Sequence, residues 1–269
     1  MPTLRRPAST LFYDDLGDRD APAVVLMHSL LCDGTMFAHL ADDLAKTWRV
    51  LNLDLRGHGR STPSTRFFTL CDLADDLIAL LDHADVRRAA LVGLSMGGIT
   101  AMRAALYHPR RVAALALLDT SAEPETSTNR ARYMAMATAF RVGGVLPMIA
   151  QRLRPLFFSD SFLRRDPATV EALLQRIGTL DRDGVFKAVE AVCMREDITR
   201  ELGEIRLPSL VLVGEDDRAT NVRRARTIVD GIPGASLDVV KETGHLSTIE
   251  QPELTTHIVR AFLEGVGRW

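Results

Sequence analysis

The 269-residue chain has little charge of one sign to spare: 33 Lys and Arg against 35 Asp and Glu leave a formal net charge of −2. That near-balance removes the reason to expect nucleic acid or an anionic membrane as a partner. Long hydrophobic runs are missing too, and no apolar stretch approaches the roughly 20 residues that span a bilayer. The N-terminal "MPTLRRPASTLFYDD" has two arginines but no apolar h-region, so it does not read as a secretory signal. Cysteine is scarce. Cys32, Cys71 and Cys193 are odd in number, far apart and without metal-ligand spacing. They read as reduced thiols in a cytoplasmic protein. Cys32 falls in a loop of interest, either as a small buried apolar residue or as part of a pocket wall. There is no internal repeat and no low-complexity tract.

What remains is the rhythm of an α/β protein. Apolar runs of strand length occur at Ala23–Ser29, Arg49–Arg56, Ala89–Ser95 and Val112–Thr120. Between them lie helical periods. Phe37, Leu40, Ala41 and Leu44 form one stripe; Leu70, Leu73, Leu77, Ile78 and Leu81 form another, with Thr69 placed to cap it. Strands apolar on both faces, alternating with helices, predict a mostly parallel sheet with helices on both sides. After Thr120 the pattern changes. From Ala131 to about Glu204 there are helical periods and no convincing strand, and Pro147, Pro155 and Pro167 cut the region into about four pieces. The strand–helix alternation then returns at Ser209–Glu215, Val222–Asp230, Ala235–Glu242 and Glu253–Glu264. A helical insertion of roughly 85 residues interrupting an α/β core is expected, with the core at 1–121 and 206–269 and the insertion at 122–205.

One short stretch concentrates the chemistry. In "LVGLSMGGIT", Ser95 stands between Gly93 and Gly97 where a strand ends and a helix begins. A sharp strand-to-helix turn strains the central residue and crowds the positions two residues either side, hence the glycines. It lifts the hydroxyl above the sheet edge and points free helix N–H groups at whatever that hydroxyl attacks. A helix-capping serine is the plainer alternative. A serine nucleophile needs a base. Of the seven histidines, His245 follows the last strand in "KETGHLSTIEQP", at the sheet edge where open parallel sheets place their sites. His39, His83, His108 and His257 fall on helices or at their ends and read as surface residues, while His28 and His58 belong to loops. The base needs an acid in turn. "GEDDRAT" supplies Asp217, with Asp216 as the alternative at the same turn and Asp119 as a substitute after the fourth strand. Oxyanion donors are expected from the N–H of Met96 and, in "MHSLLCDG", from that of Leu30.

"MHSLLCDGTMF", "LDLRGHGRS", "LVGLSMGG", "VLVGEDD" and "ETGHLSTIEQP", in this order, resemble the α/β-hydrolase superfamily over essentially the whole chain. Within it the sequence resembles the 3-oxoadipate enol-lactonases and related carboxylesterases. It departs from the lactonases' "NSLG" loop, reading His28-Ser29-Leu30-Leu31, and from their "ATPP", reading Ala219-Thr220-Asn221-Val222. The resemblance implies an α/β-hydrolase fold with an inserted helical cap and a Ser95–His245–Asp217 triad. It implies cleavage of a small ester or lactone with no cofactor and no metal. Ser29, Leu31 and Arg141 are expected to meet substrate. His58 and Arg60 are expected to organise loops. Seven arginines between Thr126 and Arg165 face one acidic residue, Asp160, which suggests a carboxylated substrate; a solvated helix face is the alternative. Carbon–carbon bond hydrolysis and ligand sensing on the same fold remain open, and the oligomeric state is not legible.

Overall fold

The computed structural model describes residues 2–267 and 269. Its strands are β1 (Thr3–Arg6), β2 (Ser9–Leu16), β3 (Ala23–Met27), β4 (Arg49–Asp54), β5 (Ala89–Leu94), β6 (Val112–Leu118), β7 (Ser209–Gly214) and β8 (Ser236–Val240). They form one sheet in the order β1-β2-β4-β3-β5-β6-β7-β8. The β1–β2 and β2–β4 pairs are antiparallel, and every other neighbouring pair is parallel. Every residue of β3, β4, β5, β6 and β7 is buried. That burial on both faces is why these strands read as unbroken apolar runs. The N-terminal hairpin was not anticipated. β1 alternates between exposed and half-buried residues along Thr-Leu-Arg-Arg, so it carries a period of two without an apolar run.

Helices cover both faces. α1 (Ala38–Leu44) and α11 (Pro252–Val266) pack together on one side. α2 (Leu70–His83), α3 (Met96–Tyr107) and α9 (Val222–Gly231) pack on the other, in the apolar cluster built on Val25, Leu91 and Leu115. The expected Thr69 cap of α2 is present as a reciprocal capping box with Asp72. A short α10 (Ser247–Glu250) follows the loop after β8.

Between β6 and β7 the chain forms α4 (Ser127–Gly143), α5 (Pro147–Phe157), α6 (Asp160–Arg165), α7 (Pro167–Thr179) and α8 (Arg182–Cys193). That is one helix more than the about four pieces expected. Pro147 and Pro167 open helices, where a missing N–H costs nothing. Pro155 does not cut the chain: it sits inside α5, close enough to the end that only the last turn loses a bond. The inward residues Phe140, Ile149, Leu153 and Phe157 join the core cluster that also holds Leu94 and Leu118. The insertion therefore packs over the end of the sheet at which β5 and β6 finish.

Candidate active site

Ser95 joins β5 to α3 with φ +54° and ψ −112°, a conformation costly for any residue with a side chain. The turn is held from several sides. Ser95 N–H donates to Leu118 O at 2.9 Å, and Ser95 O accepts from Ile99 N–H at 2.9 Å and Thr120 Oγ1 at 2.8 Å. The flanking glycines are required sterically. A Cβ on Gly93 would strike the Gly97 backbone, and one on Gly97 would strike Met27 O in the neighbouring strand. Gly98, outside the motif, is also constrained, though less severely, since a Cβ there would sit 2.7 Å from the Thr120 side chain.

The loops after β7 and β8 bring Asp217 and His245 together. His245 Nδ1 lies 2.9 Å from Asp217 Oδ2, and both side chains are buried. With Asp217 as carboxylate, Nδ1 carries the proton and Nε2 is the free ring nitrogen. Asp217 is well held: Oδ1 accepts from Ala219 N–H at 2.7 Å and Thr220 N–H at 2.8 Å, and Oδ2 accepts from Thr220 Oγ1 at 2.7 Å. Burial raises the Asp217 pKa, but His245 and these donors outweigh it and keep the carboxyl below its ordinary value. For His245 burial acts downward, while the charge and hydrogen bond of Asp217, with Asp119 and Glu250 behind them, bring the net shift above the ordinary histidine value. Asp216, the alternative acid, is exposed. Asp119 is buried, yet its oxygens accept from Gly214 N–H at 2.9 Å and Ser247 N–H at 3.3 Å. It ties β6 to the acid and histidine loops, and burial beside Asp217 pushes its carboxyl up to about 7.

The loop after β3 supplies the facing wall. Among the described residues, neither Leu30 N–H nor Met96 N–H has a hydrogen-bond partner. Leu30, Ser29, Leu31, Ser95 and His245 line one cavity of about 110 Å³ between the sheet edge and the helical insertion. Ser29 Oγ is buried there with no partner among the described residues. Leu31 holds φ +65°, and its N–H donates to His58 Nε2 at 3.2 Å. His28 accepts from Leu55 N–H through Nε2 at 2.9 Å and donates to Ser29 O through Nδ1 at 2.7 Å. Burial lowers both histidines, His58 to about 3, so they stay neutral and hold the loop by hydrogen bonds alone. Arg60 is braced between Asp54 and Asp14 over the Phe12 ring.

A family model described as the alpha/beta hydrolase fold matches residues 22–252. The chain belongs to that family. The hydrolase is 29% identical over 262 residues to 3-oxoadipate enol-lactonase 2 of Acinetobacter baylyi, covering 97% of this chain and 96% of that one. It superposes on a thermophilic esterase from Thermogutta terrifontis with a TM-score of 0.92 at 30% identity, covering 99% of each chain. On the enol-lactonase from Burkholderia xenovorans the TM-score is 0.90 at 30% identity, covering 98% of this chain and 100% of that one. With these relatives, the protein is an ester-cleaving hydrolase.

Two expectations for this hydrolase need correction. Arg141 does not meet the cavity: it lies on the outer side of α4, half exposed, paired with Asp183 at 2.5 Å and stacked on Phe186. Nor do the other six arginines between Thr126 and Arg165 line the cavity. Arg132, Arg152, Arg164 and Arg165 are exposed and Arg154 pairs with Glu171, which is the solvated face that amphipathic cap helices require. Conversely, Thr220, Glu125, Arg195 and Cys193 line the cavity and were not anticipated. Thr220 sat inside a motif already of interest; the others approach across 30 to 70 residues, which no local spacing reports. Among the described residues no group of three or more His, Cys, Asp or Glu gathers as a metal site, and no helix is long and apolar enough to cross a membrane.

Proposed function

We propose that this hydrolase cleaves a small carboxylic ester or lactone through an acyl-enzyme on Ser95. Ser95 Oγ attacks the carbonyl while His245 Nε2 takes its proton. Asp217 holds the ring and offsets the imidazolium charge. The oxyanion is met by the Leu30 and Met96 N–H groups, each worth about 3 kcal/mol of transition-state stabilisation. His245 then returns the proton to the leaving alcohol or enol and activates the water that releases the acid. Residues 122–205 act as the cap over this site and residues 1–121 and 206–269 as its core, so substrate and water enter past the cap. The observation that carries the reading is the buried His245–Asp217 pair at 2.9 Å, with His245 on the wall of the cavity that Ser95 also lines.

Hydrolysis of p-nitrophenyl acetate and butyrate by wild type and Ser95→Ala, in single-turnover and steady-state mode, tests it. A burst followed by turnover is expected in the wild type, with a loss of about 10⁴-fold or more in the variant. Activity surviving in Ser95→Ala removes Ser95 as nucleophile.

A further inference from the structure

The cavity is walled almost entirely by hydrocarbon, yet an ion pair forms part of it. Glu125, on the loop leaving β6, and Arg195, two residues past α8, both line the space that holds Ser95 and His245, and both are buried. Each nitrogen of Arg195 donates to the protein. Its Nη2 donates to Glu125 Oε1 at 2.9 Å, its Nε to Glu123 O at 2.9 Å and its Nη1 to Val192 O at 2.7 Å. Glu125 is as fully used: Oε1 also accepts from Arg224 Nη1 at 3.1 Å, and Oε2 from Asn129 Nδ2 at 3.2 Å and Arg224 Nη2 at 3.4 Å. Arg224 is not on the wall, and behind it Glu123 answers Arg223 and the Arg224 Nε. Burial raises the Glu125 pKa, but the two guanidiniums more than reverse it, so the group is a carboxylate at neutral pH. Among the described residues, Arg195 is the one guanidinium on the cavity wall, and Glu125 cancels it.

We propose that Glu125 is a specificity-determining residue. By masking Arg195 it keeps the pocket neutral, so the enzyme takes esters whose acyl group ends in hydrocarbon and rejects those whose acyl group ends in a carboxylate. This rests on the ester-hydrolase reading of the same cavity. An entering carboxylate would shed its water, find the guanidinium already paired and meet the charge of Glu125. A methyl group in its place gains from the apolar wall. Removing the Glu125 charge leaves Nη2 of Arg195, beside Arg224, without a charged partner and better able to pair with a substrate carboxylate.

Ethyl butyrate and monoethyl succinate make the comparison, because they differ in a terminal methyl against a terminal carboxylate. Turnover is followed by proton release, and binding is followed by calorimetry on Ser95→Ala, where hydrolysis does not intervene. For the wild type, kcat/KM favouring ethyl butyrate by about 30-fold or more is expected, with a binding preference of the same sign. Glu125→Gln is expected to shrink that ratio about 10-fold or more, through a gain on monoethyl succinate. Glu125→Asp, which keeps the charge but draws it back from Arg195, should fall between, and it carries the test if Glu125→Gln does not fold. Equal use of the two esters by the wild type overturns the proposal, as does a folded Glu125→Gln with an unchanged ratio. If the wild type cleaves neither ester, the hydrolase reading fails separately. The Ser95→Ala titrations then decide: a preference for ethyl butyrate supports the neutral pocket, and equal binding or none overturns it.

Discussion

At the scale of single residues, the raised pKa of His245 has a direction that kinetics can read. In the proposed mechanism His245 must be neutral to accept the serine proton, so kcat/KM is expected to fall as pH drops through its pKa. That pKa stands above the ordinary value because the Asp217 charge and hydrogen bond, with help from Asp119 and Glu250, overcome burial. Asp217→Asn removes the larger of the upward influences and leaves burial in place. The acid limb of the profile should therefore move to lower pH while the rate at neutral pH drops about 10³- to 10⁴-fold. Asp216→Asn, altering an exposed neighbour, should move neither. A limb that stays in place in Asp217→Asn would mean that the group controlling it is not His245. The placement of Ser95, His245 and Asp217 at one sheet edge was legible because each sits in a short motif at a strand end. Glu125 and Arg195 were not, because a buried ion pair is a fact about two distant loops, and each residue alone reads as surface charge.

At the scale of elements, the buried strands were legible to within about two residues, since continuous burial writes itself as continuous hydrocarbon. The hairpin of β1 and β2 was not, because β1 alternates exposed and half-buried residues and the second half of β2 carries two aspartates and is mostly half-buried, so neither is an unbroken apolar run. The elbow between β5 and α3 shows what a motif glycine is for. On Gly97 a Cβ would meet Met27 O, a backbone atom in a fully buried strand that has nowhere to go. Gly97→Ala should cost about 3 kcal/mol or more, lowering Tm by several degrees and displacing the Met96 N–H with it. Gly265 offers the contrast. It lies in the last turn of α11 with nothing within 4 Å of a built Cβ. Gly265→Ala should be neutral or stabilising by up to about 1 kcal/mol. Thermal unfolding of the two variants side by side checks both; a Gly97→Ala protein as stable as wild type would mean that the elbow yields where the geometry says it cannot.

At the scale of the whole molecule, two of the contacts between the proposed cap and the core are unlike in strength. On one side Arg176 of α7 pairs with Asp33 of the loop after β3 at 2.5 Å, with Arg176 half exposed. On the other, the joint between α5 and α6 is stapled to the histidine loop. Phe157 O accepts from His245 N–H at 3.0 Å and Leu246 N–H at 3.2 Å, and the Phe157 ring stacks near that of His245. Beside it buried Glu250 accepts from Gly244 N–H at 2.9 Å through Oε1 and from Ser159 Oγ at 2.6 Å through Oε2. The first attachment is screened by water and salt and is worth about 0–1 kcal/mol. Loss of the second strands buried donors at about 1–3 kcal/mol each. Of these two contacts, the one beside His245 is the stronger and the one at the loop after β3 the weaker. Arg176→Ala should leave Tm within about 2 °C of wild type and change KM more than kcat. Glu250→Ala should lower Tm by several degrees and reduce kcat about 10-fold or more, because the histidine loop loses its brace. Glu250→Gln, which keeps an acceptor for Gly244 N–H and lets the Ser159 hydroxyl turn to accept, should recover most of that kcat. A Glu250→Ala enzyme with a lowered Tm but wild-type kcat would leave Glu250 as a stabilising contact with no hold on the base.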